Sequence, residues 1–150
     1  DDGTLLRLSE TGFRWVCGDE YAGEWLKEQA KKKNLKVVIK NSTDQINNIS
    51  VQGPNSRKIL EKIIFTPPTQ PTISELQWFR FTICRLEELN GIPLIVSRTG
   101  YTGELGYEVW CHPDHAPQVW DKVMEAGKND GLIPAGFGAL DLLRIEAGLV

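Results

Sequence analysis

Residues 98–108 combine three evenly spaced glycines with aromatic and acidic side chains. Gly100, Gly103 and Gly106 would let the backbone approach a ligand closely, and loops of this kind on rigid sheets often carry binding residues. Two tyrosines and two glutamates lie in the same stretch. Aromatic faces beside a carboxylate suit a flat heterocycle with amino and ring N–H donors, such as a pterin.

The same segment has a plainer explanation. Its glycine spacing is neither a dinucleotide fingerprint nor a phosphate-binding loop, because it leads into a strand instead of a helix. A twisted hairpin connection with glutamates on its surface would have a similar composition. On residue chemistry alone, the ligand-binding loop and the hairpin connection are both open.

Glu108 is the most informative acid in the chain, because it lies inside a predicted strand. Alternation places its side chain opposite Tyr107 and Val109 and on the face that carries Trp110. If that face is covered, an ionised carboxylate there needs a partner. If the face is exposed, Glu108 is an ordinary solvated strand residue.

Two other clusters of polar residues carry weaker signals. The acids Asp1 and Asp2 at the start of the sequence are by themselves typical of solvated charge. Residues 111–115 contain both histidines of the chain beside Pro113 and Asp114, at a strand-to-helix junction where such residues begin a helix. A tetrahedral zinc site would need further ligands, so we expect no metal site. No Ser/His/Asp or Cys/His nucleophile arrangement is indicated.

The elements that must position these residues follow from hydrophobic periodicity. In the first half, strands are expected at 4–8, 13–17, 35–39 and 47–52. Helices are expected from about residue 19 and after Gly53-Pro54, and the second of these has Ile64 on its apolar face. In the second half, strands are expected at 79–83, 92–96 and 107–111, and helices at 116–124 and 139–147. The pattern predicts an α+β fold, with antiparallel sheets and helices. The proline-rich stretch near 66–72 is the best internal boundary.

Composition excludes several classes of function. The chain has 150 residues and a net charge of −3, which gives no electrostatic footprint for nucleic acid or an anionic membrane. Its apolar runs are too short for a membrane span. Three cysteines cannot all pair, so a reducing cytoplasm with buried thiols is expected. The abrupt start and end of the sequence indicate a piece of a larger protein, which would expose apolar surface and self-associate.

Four motifs in sequence order resemble those of the glycine cleavage T-protein (aminomethyltransferase) family. The strongest is the Arg-Thr-Gly-Tyr-Thr-Gly-Glu loop that leads into the strand bearing Glu108. The others are an Asp-Asp pair, a Gln-Gly-Pro turn and a Leu-Arg-x-Glu-Ala-Gly-Leu helix, at residues 1–2, 52–54 and 143–149. The resemblance spans the whole chain.

The resemblance implies that residues 1–150 are part of a folate-binding domain that includes a ferredoxin-like lobe. Relatives add an N-terminal portion of this domain and a C-terminal β-barrel-like domain, both missing here. The implied activity is tetrahydrofolate-dependent transfer of an aminomethyl or methyl group from a small donor, with a lipoyl carrier protein as a candidate partner. The isolated piece is expected to be inactive.

The resemblance also implies roles for individual residues. Asp2 corresponds to a catalytic aspartate near the reactive nitrogens of tetrahydrofolate, where a carboxylate would stabilise developing positive charge. Tyr101 corresponds to a tyrosine that packs on the folate, and Arg98 belongs to the same binding loop. Glu108 corresponds to the acid that accepts hydrogen bonds from the pterin edge.

Two positions depart from the family pattern. Leu140 precedes Asp141 where aminomethyltransferases have Arg-Asp, and leucine cannot replace a folate-binding guanidinium. Gly18 stands where an asparagine is usual. These departures favour a demethylase-like member over glycine cleavage. The alternatives are a non-catalytic folate-binding module and the folate-binding lobe of a larger demethylating dehydrogenase or oxidase.

Overall fold

A computed structural model describes residues 2–149, and the chain divides into two compact units, Asp1–Thr43 and Asp44–Val150. The first unit begins with a hairpin of strands β1 (Gly3–Arg7) and β2 (Phe13–Cys17). The strands pair antiparallel. Helix α1 (Ala22–Lys32) follows. The predicted hairpin and helix are confirmed, but the helix begins later, because the carboxylate of Asp19 accepts the Tyr21 N–H at 2.8 Å and holds a turn there.

The predicted strand at residues 35–39 is wrong, because these residues form no ladder. Their alternation has another cause within the first unit. Leu35, Val37 and Ile39 line one side of a cavity of about 430 Å³, whose other side is α1 with Trp25. The intervening Val38 is 97 % exposed. An extended chain over an apolar helix face produces the same period of two as a strand does.

The second unit is a five-stranded antiparallel sheet with helices, in the strand order β3-β7-β6-β5-β4. This architecture confirms the α+β class. The elements, in chain order, are β3 (Asn47–Gln52), α2 (Ser56–Glu61), β4 (Ile64–Phe65), β5 (Phe81–Leu86), β6 (Pro93–Ser97), β7 (Gly106–Cys111), α3 (Ala116–Gly127) and α4 (Phe137–Glu146). Within residues 2–149, no helix is long and apolar enough to cross a membrane.

Two element boundaries differ from the sequence-based expectation. Helix α2 ends at Glu61, and Ile64, which was expected to extend it, pairs with Leu86 in β4 instead. Strand β5 starts at Phe81 and not at Phe79, because Phe79 has a φ of 55°. That left-handed conformation interrupts an extended strand.

The proline-rich stretch 66–72 lies inside the second unit, where it joins β4 to β5. The residues after it turn into the core, since Ile73 and Leu76 are buried there. The division between the two compact units lies at Thr43 and Asp44.

Helices α2 and α3 cover one face of the sheet and form the core with it. Leu60 of α2, Val119 of α3 and Val96 of β6 are completely buried. Two of the three cysteines are also buried, as expected, and burial raises the pKa of Cys84 to about 12. On the opposite face of the sheet, the side chains of β3, β6 and β7 are mainly polar.

Candidate binding site on the polar face of the sheet

Glu108 lies in the middle of β7, between Ser50 of β3 and Ser97 of β6. Its side chain lies opposite Tyr107 and Val109, as the alternation predicted, and those two side chains belong to the core. Both carboxylate oxygens accept hydrogen bonds. Oε1 accepts from the Asn48 side-chain amide at 2.8 Å, and Oε2 accepts from the Thr99 hydroxyl. The half-buried carboxylate therefore has the partners that its position requires.

A chain of hydrogen bonds extends from Glu108 to Trp110. The Trp110 indole N–H donates to Ser97 Oγ at 3.0 Å, and Ser97 Oγ lies 2.8 Å from Thr99 Oγ1. Because the single hydroxyl proton of Thr99 goes to Glu108, the Ser97 hydroxyl must donate to Thr99. The donors of Trp110, Ser97 and Thr99 thus all point towards the carboxylate.

The glycines of the loop make room for the protein's own atoms. A Cβ at Gly100 would lie 2.1 Å from Gln52 Oε1, and a Cβ at Gly106 would lie 1.7 Å from the same atom. Gly103 has a φ of 73°, and a Cβ there would lie 2.5 Å from Cβ of Ala147. The expected close approach to the backbone therefore occurs, but at all three positions a side chain of the protein makes it.

Tyr101 lies on the outer part of this loop, and 40 % of its surface is exposed. The guanidinium carbon of Arg144 in α4 lies 5.8 Å from the centroid of its ring, a distance typical of a cation–π contact. Arg144 is held in place by Asp141, whose carboxylate accepts from its Nε at 3.2 Å and raises the pKa of the guanidinium. Tyr101 is thereby oriented while part of its ring stays accessible.

Arg98 stands between β6 and the loop and fastens a neighbouring segment. Its Nη1 donates to the Leu76 carbonyl at 3.1 Å. Its backbone N–H donates to Arg80 at 2.9 Å, and its carbonyl accepts from Phe79 at 3.1 Å. These contacts explain an architectural role, and a contact between Arg98 and a ligand stays a prediction.

Arg98, Tyr101 and Glu108 all belong to the second unit. They lie on one continuous segment that runs from the end of β6 through the loop into β7. Asp2 belongs to the first unit, directly before β1, and is exposed. Its role beside the folate nitrogens stays a prediction. Gly18 follows β2 in the same unit and is also exposed.

Leu140 lines a large groove within the second unit. The groove has a volume of about 1110 Å³ and runs between β3, α3 and α4. Trp120, Phe137 and Leu143 contribute apolar walls near Leu140. The position at which aminomethyltransferase-like sequences were expected to carry a guanidinium is therefore part of an apolar surface.

The histidine-containing stretch begins a helix, as its composition indicated. His112 Nδ1 accepts the backbone N–H of Asp114 at 3.3 Å, at the start of a short 3-10 turn. Among residues 2–149, no three His, Cys, Asp or Glu side chains are grouped so that they could hold a metal ion.

The sequence-based reasoning missed Asn48, Thr99 and Ser97. A signal for Asn48 was present, because Asn48, Ser50 and Gln52 alternate with the buried Ile49 and Val51. That alternation marks a polar face on the strand beside Glu108. Thr99 had no such signal, because its hydroxyl reaches Glu108 from a loop.

Comparison with known proteins adds the family. The family model described as the GCVT N-terminal domain matches residues 1–150. A trimethylamine-oxide aldolase of Ruegeria pomeroyi is 55 % identical over 150 residues, which are 100 % of this chain and 19 % of that protein.

Aminomethyltransferases are also similar over most of the chain. That of Halothermothrix orenii is 43 % identical over 124 residues, or 83 % of this chain and 32 % of the relative. That of Thermoanaerobacter pseudethanolicus is 42 % identical over 152 aligned residues, or 99 % of this chain and 39 % of the relative. The chain thus spans between about a fifth and two fifths of the length of these relatives. It belongs to the family of the GCVT N-terminal domain, the T-protein family that its motifs resemble.

Proposed function

We propose that this chain is the folate-binding part of a one-carbon transferase, which moves a carbon from a methylated donor onto tetrahydrofolate. The observation that carries the proposal is the anchored carboxylate of Glu108. A half-buried carboxylate whose two oxygens each accept a hydrogen bond is held in one orientation, as an acceptor for a ligand must be. Membership of the T-protein family supports the choice of folate.

The chemistry of the site fits a pterin edge. A carboxylate offers about four lone-pair sites, and Asn48 and Thr99 occupy two of those on Glu108. The remaining sites can accept from an amino group and a ring N–H, which the pterin edge presents side by side. Tyr101 offers aromatic surface for packing against the heterocycle.

Tetrahydrofolate supplies the two nitrogen atoms that take up a one-carbon unit. In the proposal, Asp2 provides a negative charge near these nitrogens and stabilises positive charge as the carbon is transferred. Glu108 fixes the orientation of the ring, and Tyr101 limits the access of water to it. Positioning of this kind accounts for much of the rate of a group transfer.

The donor that we favour is an N-methyl compound. Two observations support it: the higher identity to a trimethylamine-oxide aldolase than to the two aminomethyltransferases, and the leucine at position 140. Loss of one methyl carbon of trimethylamine oxide as formaldehyde would leave dimethylamine. Condensation of formaldehyde with both folate nitrogens then gives methylenetetrahydrofolate and water, and the atoms balance without an oxidant.

Equilibrium titration of the full-length protein with tetrahydrofolate tests the binding site. Glu108→Gln keeps the shape of the side chain but loses its charge, and Glu108→Ala removes it. We expect Glu108→Gln to weaken binding about tenfold and Glu108→Ala about a hundredfold, since hydrogen bonds to charged groups contribute about 1.5–3 kcal/mol. Glu88→Gln, at an exposed position of the same unit, is the matched control. Binding that is indifferent to Glu108→Ala refutes the site.

Turnover distinguishes the candidate functions. The full-length protein is incubated with tetrahydrofolate and either trimethylamine oxide or an aminomethyl-lipoyl carrier protein, and methylenetetrahydrofolate is measured. We expect product from the N-methyl donor and a large loss of product with Asp2→Asn. Product from the lipoyl carrier alone would support glycine cleavage instead. Folate binding without product from any donor would support a non-catalytic module.

A second candidate function is supported by the small share of the trimethylamine-oxide aldolase that this chain covers. The chain corresponds to only 19 % of the trimethylamine-oxide aldolase, so that this domain there accompanies a much longer chain. On this alternative, the chain is the folate-binding lobe of a larger demethylating dehydrogenase or oxidase. A dinucleotide-binding fingerprint in the adjoining coding sequence would favour it, and the turnover assay would then require a redox cofactor.

A further inference from the structure

We propose that Gln52 is the positioning residue of this site, and that its side-chain amide fixes the glycine loop, residues 99–107, in the conformation that binds folate. The inference deepens the proposed function and rests on it. Among the described residues, no hydrogen bond joins the Gln52 side chain to the side chain of Glu108 or of Tyr101. Gln52 acts through the backbone of the loop that connects them.

The Gln52 amide joins both ends of the loop. Its Nε2 donates to the carbonyl of Thr99 at 3.3 Å, at the start of the loop, and to the carbonyl of Tyr107 at 3.2 Å, at its end. Its Oε1 accepts from the Thr102 hydroxyl at 3.3 Å, in the middle of the loop. One half-buried side chain therefore satisfies three polar groups that lie on three parts of the same loop.

The next residue along the chain strengthens this connection. The Gly53 N–H donates to the carbonyl of Leu105 at 2.7 Å, and the Ser56 hydroxyl donates to the same carbonyl at 3.3 Å. The end of β3 and the start of α2 thus hold the loop through main-chain and side-chain bonds together. Because both elements are packed on the core, the loop is tied to a rigid part of the unit.

The glycines on either side of the amide show how closely it fits. Its oxygen would lie 2.1 Å from a Cβ at Gly100 and 1.7 Å from a Cβ at Gly106. Real Cβ atoms do not approach other atoms to such distances, so each position requires glycine while Gln52 occupies the space. The glutamine at position 52 can occupy this space only because positions 100 and 106 are glycine.

An amide satisfies this arrangement in full. The two carbonyls need two donors, and the Thr102 hydroxyl, whose proton points to Gln52, needs an acceptor. A glutamate at position 52 would direct oxygens at two carbonyl oxygens and repel them. A methionine of similar length would fill the space but would remove all three hydrogen bonds.

The consequence for the site lies in what the loop carries. Thr99, which donates to Glu108, stands at its first anchored point, and Tyr101 lies two residues further along. Glu108 follows directly on the second anchored residue, Tyr107. Release of the loop would therefore misplace the packing surface and one donor of the anchored acid at the same time, while the core stays intact.

Hydrogen exchange of the unliganded full-length protein tests the clamp independently of folate. In Gln52→Met we expect the amides of residues 99–106 to exchange about ten to a hundred times faster, with exchange of the core strands β5 and β6 unchanged. The control is Gln118→Met, at an exposed position of α3. Unchanged exchange in the loop, or faster exchange throughout the sheet, overturns the proposal, because the second result is that of a merely structural residue.

Folate titration of Gln52→Glu at two pH values tests the positioning role. At about pH 7.5 we expect the variant to bind tetrahydrofolate about ten to a hundred times more weakly than the wild type. At about pH 5 the ratio should shrink at least about threefold, because the new carboxyl, whose pKa is raised by neighbouring carbonyls, regains a proton and donates again. Gln52→Met should show no such recovery, and Gln118→Glu should match the wild type at both pH values.

The outcomes separate the two proposals. If the wild type binds no tetrahydrofolate, the proposed function fails, and hydrogen exchange alone decides whether Gln52 holds the loop. If the wild type binds and Gln52→Glu binds equally well, the positioning role fails while the proposed function stands. A loss of affinity in Gln52→Glu that is the same at both pH values also contradicts the role, since protonation would then restore nothing.

Discussion

The amide of Gln52 lies directly against Gly106, so closely that a Cβ at position 106 would be 1.7 Å from its oxygen. The two residues also oppose each other in the ladder between β3 and β7. A pair of this kind couples two positions that are far apart in sequence, and the coupling can be measured.

We expect Gly106→Ala to destabilise the protein by about 1–3 kcal/mol, because the added methyl group displaces Gln52 or shifts the ladder. In a Gln52→Ala background the space is vacant, so the same substitution should cost much less. Urea unfolding of the four variants gives the interaction energy. Gly138→Ala, in helix α4 with no atom near the new Cβ, should be neutral or stabilising. Equal costs of Gly106→Ala in both backgrounds would contradict the coupling.

The hydroxyl of Thr99 provides the second prediction. Thr99→Val keeps the shape of this buried side chain but leaves Glu108 Oε2 without its donor and the Ser97 hydroxyl without its acceptor. We expect a loss of about 1.5–3 kcal/mol in the free energy of unfolding, the range for a hydrogen bond to a charged group, and weaker binding of tetrahydrofolate.

Thr99→Ser is the matched control for this prediction, because it retains the hydroxyl, and its binding should stay close to that of the wild type. The cost of Thr99→Val should also shrink in a Glu108→Gln background, where the carboxylate charge is absent. If valine and serine at position 99 behaved alike in folate titration, the network would not orient Glu108.

The polar face of the sheet was partly predictable from sequence. Alternation in β7 correctly placed Glu108 on the face opposite Tyr107 and Val109, because successive side chains of a strand point to opposite faces. The same period misled the prediction at residues 35–39, where an extended chain packs on α1 without pairing. Periodicity indicates which face of a segment is buried, but it does not indicate whether the segment pairs with another strand.

Gln52 shows a different limit. Its motif was visible, but the role of its side chain depends on contacts with residues 99, 102 and 107, about fifty positions further along the chain. No local pattern encodes such contacts. The glycine spacing correctly indicated a close approach to the backbone, but the atoms that approach belong to side chains of the protein itself.

Asp130 gives a prediction about pH. The hydrogen bonds from Lys58, and then those from Lys62, lower the pKa of the Asp130 carboxyl. A carboxyl whose pKa is lower in the folded state stabilises the fold above its unfolded pKa of about 3.9, and this contribution is lost as the pH falls through the folded value.

We therefore expect Asp130→Asn to lower the thermal midpoint at neutral pH, and the gap between variant and wild type to close as the pH falls below about 4. Thermal unfolding monitored by circular dichroism between neutral and acidic pH measures it. Asp121→Asn, at an exposed position of α3, is the control. A gap that stays constant with pH would show that the ion pairs with Lys58 and Lys62 do not contribute through charge.

Helix α4 leads to the last prediction, because most of its apolar side chains are uncovered. Phe137 is 86 % exposed, Leu142 66 % and Ile145 62 %. Large contiguous apolar surfaces are rare on monomeric proteins and mark contacts with other protein. We expect the 150-residue chain alone to self-associate, and sedimentation velocity over a range of concentrations should show species larger than a monomer.

The variant Leu142→Lys combined with Ile145→Lys should weaken this association about tenfold or more, because two buried apolar contacts would be replaced by charges. Gln118→Lys, which adds a charge to an exposed position of α3, should leave it unchanged. A compact monomer at every concentration would contradict the prediction. Association that survives the double variant would locate the contact away from Leu142 and Ile145, with the apolar groove beside Leu140 as the next surface to substitute.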